Sequence, residues 1–292
     1  ACQTTHHWSP YDAATQDIYP TKHWQKVASP EQLGWSSEKL AAVREYSRQI
    51  DTAALMIVDN GVVVDAWGDI HKNFQCHSMR KSIFSAIIGV HVDEGNLDLS
   101  KTIEELGIDD YPPELTMEEK QATVGDLMKA RSGIYHAALG ESPGMKAIRP
   151  ERHSHRPGTF WYYNNWDFNA AGTIFRQETG EDIFQAFKRE IADVVGMQDF
   201  SPANCQYYYE IEKSEHPAYV FRMSARDMAR FGVLYQKNGA WEGKQIIPVD
   251  WIFDSTVAYS TLDVSTGVGY GYMWYVVPEE SDTAELFGYD FY

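Results

Sequence analysis

Short apolar runs bounded by glycine, asparagine or capping residues set the elements this sequence predicts. Trp35-Ser36-Ser37-Glu38 opens a helix through Leu40, Val43 and Tyr46, with serine caps ahead of the apolar positions. Ala54-Leu55-Met56-Ile57-Val58 and Val62-Val63-Val64-Asp65-Ala66-Trp67 are β-rich runs, and Asn60-Gly61 between them supplies the positive φ angles of a tight hairpin. The apolar run Ile83 to Val90 predicts a second helix, stopped at Gly95. From about residue 96 to 200 the pattern changes to short helices and loops. A helical run from Trp166 to Glu178 stops at Gly180, and another over about 182–194 stops at Gly196. Ser224-Ala225-Arg226-Asp227 caps a helix from Met228 to Gln236, closed by Asn238-Gly239. Residues 269–277 form an aromatic run that predicts a strand ending at Pro278. Strands at both ends with helices between predict an α+β protein. Its sheet domain would draw on 31–95 and 200–292, its mostly helical subdomain on 96–199, and residues 1–30 would form a leader or tether.

Composition narrows the function classes. A chain of 292 residues with 43% apolar and 14% aromatic residues can bury a full core. Its net charge of −17 argues against nucleic acid, whose phosphates need a basic surface, and gives no attraction to anionic lipid. No run of about 18 apolar residues is present to span a membrane. The three cysteines, Cys2, Cys76 and Cys205, lie far apart without metal-ligand spacing. Cys2, ahead of a polar stretch, fits the lipid-bearing residue left by cleavage of a bacterial lipoprotein signal; an ordinary terminal cysteine fits as well.

The candidate chemistry lies at Gln75-Cys76-His77-Ser78-Met79-Arg80-Lys81-Ser82. Ser78 and Lys81 are nearly one helical turn apart and so share a face. A serine hydroxyl needs a base to become a nucleophile, and a lysine can serve when burial or neighbouring cations keep it neutral. Lowering a lysine by about 3 units corresponds to roughly 4–5 kcal/mol, which only a pre-built site supplies. By itself Ser-x-x-Lys also fits a capping serine and a surface lysine.

Further motifs accompany it. Val92-Asp93-Glu94-Gly95-Asn96-Leu97-Asp98-Leu99 and Leu127-Met128-Lys129-Ala130-Arg131-Ser132-Gly133 follow, then Tyr163-Asn164-Asn165, Val195-Gly196-Met197, Ser224-Ala225-Arg226-Asp227 and Asp250-Trp251. From about residue 31 onward the chain resembles the serine hydrolases related to class C β-lactamases, D,D-peptidases and family-VIII carboxylesterases. Tyr162-Tyr163-Asn164 also fits the Tyr-x-Asn motif; the later frame is preferred because Gly172 then falls where that family has a glycine. The resemblance implies a β-lactamase/transpeptidase-like fold, an antiparallel sheet flanked by helices plus a helical subdomain. It implies that Ser78 forms an acyl-enzyme, Lys81 helps deprotonate it, and Tyr163, held by the Lys81 charge, shuttles the proton. Asn165 would orient Lys81 and the substrate. No cofactor is implied, and the partner would be a small-molecule ester or amide. An esterase or small-amide hydrolase is favoured; a D,D-peptidase, a β-lactamase or a slowly acylating sensing module are the alternatives. The implied location is extracytoplasmic, periplasmic or anchored by a lipid on Cys2.

The family's third motif, Lys-Thr-Gly or His-x-Gly, should begin about where Tyr292 ends the sequence, so the chain is expected to be a fragment of a longer product. Its strand supplies one oxyanion-hole donor, whose loss costs roughly 3 kcal/mol. Ser265-Thr266-Gly267 lacks the cation and precedes the aromatic run. Gly140-Glu141-Ser142-Pro143-Gly144 matches a nucleophile-elbow pattern, but Pro143 has no N–H for an oxyanion, so it is expected to be a loop. His153-Ser154-His155, His6-His7 and the pair Asp109-Asp110 are expected to be polar, solvated loop residues. Adjacent helical residues point about 100° apart, which leaves His77 poorly placed as a base.

Overall fold

Asn60 (φ 44°) and Gly61 (φ 82°) both take left-handed backbone, and this turns β3 (Ala54–Asp59) into β4 (Val62–Gly68) as an antiparallel hairpin. A Cβ on Gly61 would lie 2.0 Å from the Ile18 carbonyl oxygen, so only glycine fits the turn. The computed structural model describes residues 9–10, 18–278, 281 and 283–284, and Cys2 lies outside them. The described residues fall into two compact units.

The first unit takes in the described residues up to Gln75 with Lys188–Asn204 and Arg222–Ile246. Its main sheet has the order β1-β2-β4-β3, with β1 (Ser9–Pro10) parallel to β2 (Gln25–Lys26) and β2 parallel to β4. Helix α1 (Ser37–Gln49) begins at Ser36, whose hydroxyl accepts from the Lys39 N–H. Arg44 of α1 donates to both oxygens of Asp65 on β4 at 2.6 Å. Strand β5 (Phe74–Gln75) pairs with β8 (Arg222–Met223), and β9 (Ala240–Trp241) with β10 (Lys244–Gln245). Helix α7 (Ala225–Gln236) is capped by Ser224. Its buried Asp227 accepts the N–H groups of Gln198, Asp199 and Phe200 at 2.8 Å each, and Arg230 donates to the carbonyls of Pro20, Thr21 and Val195. These residues tie distant segments together by satisfying backbone groups that would otherwise be buried unpaired.

The second unit is built on α2 (Met79–Asp93), whose apolar residues from Ile83 to Ile88 are buried, as are Arg80 and Lys81 in its first turn. It packs against α5 (Asn165–Thr179), α6 (Ile183–Phe187) and α8 (Val249–Ser255). The unit also holds α3 (Val124–Met128), α4 (Pro143–Ile148), the hairpin β6 (Gln206–Glu210) with β7 (Ser214–Val220), and a sheet of β11 (Ser260–Asp263), β12 (Val268–Tyr270) and β13 (Tyr275–Val276) in that order. Gly172 of α5 admits the Tyr219 ring of β7, which would stand 2.9 Å from a Cβ there. Gly89 of α2 does the same for Trp251 of α8, at 2.3 Å. Gly89→Ala is therefore expected to cost about 1–3 kcal/mol by overpacking, less the roughly 1 kcal/mol that alanine gains in a helix. Gly232 of α7 is exposed with nothing within 4 Å of a Cβ, so Gly232→Ala should raise stability by about 0.4–1 kcal/mol. Thermal melts of the two variants should move in opposite directions.

Three local expectations change. The aromatic run is not one strand but β12 (Val268–Tyr270) and β13 (Tyr275–Val276), folded back on each other. Met273 (φ 63°) makes the turn, and its N–H reaches the carbonyls of Gly271 and Met128 at 3.0 Å. Residues 140–142 are loop, but Pro143 and Gly144 are not: Ser142 caps α4 by accepting from the Met145 N–H, with Pro143 in the first turn. Asp110 is not solvated but buried, accepting from Trp166 Nε1 at 2.7 Å, Ser214 Oγ at 2.6 Å and the Glu215 N–H at 2.8 Å. The hairpin β6–β7 carries Pro217 and alternates poorly, so periodicity gave no sign of it. Among the described residues no helix is long and apolar enough to cross a membrane.

Candidate active site

The chain enters α2 through a tight turn that presents Ser78. His77 takes left-handed backbone (φ 46°), and Cys76 is anchored by its N–H to the Phe221 carbonyl at 3.0 Å. Met79, Arg80 and Lys81 then donate their N–H groups three residues back, to Cys76, His77 and Ser78. His77, Ser78 and Met79 are exposed, whereas Arg80 and Lys81, one turn on, are buried at 6% and 3% exposure. The nucleophile candidate thus faces outward and its candidate base stands behind it. Ser78 spends no side-chain hydrogen bond on capping the helix.

Lys81 Nζ lies 3.2 Å from Ser78 Oγ and 2.7 Å from the Tyr163 hydroxyl. Its other neighbours are the rings of Tyr163 and Phe168, with centroids at 4.6 and 4.8 Å. Burial in this apolar setting, aided by the Arg80 charge, lowers the Lys81 amine to about 6. Burial also pushes the Tyr163 phenol up, opposed by the Ser78 hydroxyl and the Arg80 charge. Both shifts favour the uncharged forms of the pair, a free amine and a neutral phenol.

The segment 130–134 sets the place of Tyr163. The Tyr162 N–H donates to the Ala130 carbonyl at 3.1 Å, and the Gly158 N–H to that of Arg131 at 2.8 Å. Asn164 caps α5, accepting from the Trp166 N–H while its Nδ2 donates to the Ile134 carbonyl and to Asp167 Oδ1 at 2.8 Å. Asp167 also accepts from Ser132 Oγ at 2.5 Å, and complete burial raises its carboxyl well above the usual range. Tyr275 of β13 stacks on Tyr163 with ring centroids 5.9 Å apart, and Tyr270 of β12 meets it edge-on at 6.1 Å.

Of the two Tyr-x-Asn frames, the phenol beside Lys81 is that of Tyr163; the Tyr162 hydroxyl instead donates to the Met145 carbonyl at 2.9 Å. Asn165 does not bond Lys81. Its Nδ2 faces Met145 Sδ at 3.9 Å, and its Oδ1 is buried without a partner among the described residues. The Asn164–Asp167 pair has the spacing of a helix cap and its third residue, a local signal that the Tyr-x-Asn motif alone does not use. Tyr275 carries no local signal at all, since only the fold brings it to Tyr163. Ser265-Thr266-Gly267 forms the turn between β11 (Ser260–Asp263) and β12, where Asp263 Oδ1 accepts from Ser265 N–H and Oγ. His155 stacks on Phe160 with centroids 3.9 Å apart and meets the Tyr135 hydroxyl at 3.0 Å.

A family model described as beta-lactamase matches residues 37–290. No curated protein matches the chain. Among solved structures, it is similar to an octameric penicillin-binding protein homologue from Pyrococcus abyssi, at 18% identity and a TM-score of 0.62 over 84% of this chain and 66% of that one. A candidate 6-aminohexanoate-dimer hydrolase from Bacillus anthracis is 22% identical, with a TM-score of 0.62 over 82% of this chain and 68% of that one. A beta-lactamase/D-alanine carboxypeptidase from Pseudomonas syringae is 15% identical, with a TM-score of 0.61 over 85% and 77%. The chain thus spans just under two thirds of the Pyrococcus abyssi protein, and at these identities the likeness is one of fold.

Proposed function

We propose, on the premise that this chain belongs to the beta-lactamase family, that it is a serine hydrolase cleaving a carboxylic ester or small amide through an acyl-enzyme on Ser78. One observation carries the reading: a buried Lys81 amine near 6 standing 3.2 Å from Ser78 Oγ and 2.7 Å from the Tyr163 hydroxyl. The free amine takes the Ser78 proton as Oγ bonds to the substrate carbonyl carbon. Tyr163, hydrogen-bonded to the same amine, gives its proton to the leaving oxygen or nitrogen as that bond breaks, and the proton held on Lys81 restores the phenol. Water then attacks the acyl-enzyme carbonyl and gives a proton to the same pair, which passes it to Ser78 Oγ as the acyl carbon–Oγ bond breaks, releasing the acid and regenerating the serine and the free amine. Asn165 is the residue that would orient the substrate amide or ester; its Oδ1 has no protein partner among the described residues, and because it is buried it would meet a substrate only after a shift of the side chain. Met79 and Tyr275 give the exposed side uncharged groups, which suits an uncharged ester or small amide.

The test is steady-state turnover of p-nitrophenyl esters together with mass spectrometry of the acylated protein. Turnover with an adduct on Ser78 supports the hydrolase. Stoichiometric labelling of Ser78 without turnover instead supports a sensing module, and no labelling overturns both. The kcat/KM profile is expected to have an acid limb near pH 6, since Lys81 must lose its proton to act. Tyr163→Phe should lower kcat by about 10²–10⁴-fold, the usual worth of a general acid–base group. Tyr162→Phe should leave kcat nearly unchanged and cost only about 0.5–1.5 kcal/mol of stability through the lost bond to Met145.

A further inference from the structure

Arg80 is a buried cation with no counter-ion among the described residues. It projects from α2 against α5 and β7, where one guanidinium nitrogen donates to Asn169 Oδ1 at 3.2 Å. Its guanidinium carbon stands 4.1 Å from the ring centroid of Tyr219. The other terminal nitrogen, Nη1, is buried without a hydrogen-bond partner among the described residues, and no carboxylate there pairs with the group. A buried, unneutralised charge costs stability, and the hydrophobic wall around it would accept a methionine or leucine more readily. Structure alone gives this arrangement no benefit.

What the charge adjoins gives it one. Arg80 precedes Lys81 in the chain, on the helix that carries both candidate groups. We propose that Arg80 is a positioning residue for acyl transfer, its unpaired guanidinium acting as the fixed positive charge that keeps the Lys81 amine free of its proton. The proposal rests on the hydrolase reading above. Among the described residues the other ionisable groups about Lys81 are phenols: Tyr163 at 2.7 Å, with Tyr219 of β7, Tyr270 of β12 and Tyr275 of β13 grouped around Tyr163. The one carboxyl on the adjoining part of α5, Asp167, is engaged by Ser132 and Asn164. A buried guanidinium without a counter-ion among the described residues, one position before Lys81 on α2, is a charge that favours the free amine, and it opposes the effect of burial on the Tyr163 phenol as well. Arginine suits the role because its weakly hydrated, permanently charged group tolerates burial without losing its proton.

The experiment separates charge from packing in the full chain. Arg80→Gln removes the charge. Asn169→Asp leaves the guanidinium in place and neutralises it with a carboxylate at hydrogen-bond distance. Asn169→Ala removes the hydrogen bond and keeps the charge. Profiles of kcat/KM for p-nitrophenyl acetate are expected to show the acid limb moving up by about one pH unit or more in Arg80→Gln and Asn169→Asp, with activity recovered on the alkaline side. In Asn169→Ala the limb should stay at the wild-type position. An acid limb unmoved in Asn169→Asp overturns the proposal, and that variant decides even where Arg80→Gln does not fold. Direct titration of the Lys81 side chain by nuclear magnetic resonance reads the same shift without turnover. A titration that moves in an inactive protein would sink the hydrolase reading and with it the role in acyl transfer, leaving only the charge coupling of Arg80 to Lys81; a fixed limb with Ser78-dependent turnover would overturn the Arg80 proposal and keep the hydrolase.

Discussion

Ser78→Ala is expected to lower ester turnover by at least about 10³-fold while leaving the melting temperature within a degree or so of the parent chain. Both halves follow from one arrangement. The Ser78 side chain is exposed and spends no hydrogen bond on capping α2, so its loss removes no buried contact and no cap. The hydroxyl nonetheless faces the Lys81 amine at 3.2 Å, and no other serine among the described residues stands in that place. Ser142, the other serine the sequence offers, is committed to the N-terminus of α4. Stopped-flow acylation and a thermal melt on the same preparation check the result. A melt displaced by many degrees would mean that Ser78 holds the fold rather than the chemistry.

Lys81→Met should abolish turnover and at the same time stabilise the protein. An unfolded lysine titrates at 10.5, whereas burial lowers Lys81 to about 6 in the fold. Below about pH 6 both states carry the proton, and the folded state bears the full cost of a desolvated ammonium. Between pH 6 and 10.5 the unfolded state binds more protons than the native one, so stability rises with pH. The destabilisation fades as pH climbs toward 10.5. At pH 7 the remaining separation corresponds to something on the order of 4 kcal/mol, of which methionine, apolar and similar in length, should recover about 2–4 kcal/mol. Denaturant unfolding of the two proteins should therefore show the variant ahead by the widest margin in mild acid, with the gap closing at alkaline pH. A variant that is inactive and also less stable would mean the lysine is held charged by partners that favour it.

Features whose causes are local could be read along the chain. Asn60-Gly61 encodes its own turn, Gly95 and Gly180 stop their helices, and Ser224 caps α7, because each depends on backbone within a few residues. The face shared by Ser78 and Lys81 follows from helical geometry alone. The choice between Tyr162 and Tyr163 does not, since both rings sit in one aromatic stretch and only the pairing of 130–134 with 158–164 decides which hydroxyl meets Lys81. Asp110 reads as a loop carboxylate because, apart from the adjacent Tyr111 N–H, its donors come from α5 and β7, 56 to 105 positions away. The aromatic run looked like one strand because β-propensity does not register a single left-handed residue, Met273, held there by the Met128 carbonyl.

The outward serine and inward lysine make the site unequal toward chemical reagents. An electrophile carrying a bulky tag can meet Ser78 from solvent, because the residues on both sides of it are exposed. An amine-directed reagent can modify the surface lysines and still fail to reach Lys81 behind the rings of Tyr163 and Phe168. Amine-directed labelling should therefore leave Lys81 unmodified while the surface lysines react, and a serine-directed electrophile should reach Ser78 first; peptide mapping after each treatment reads both outcomes.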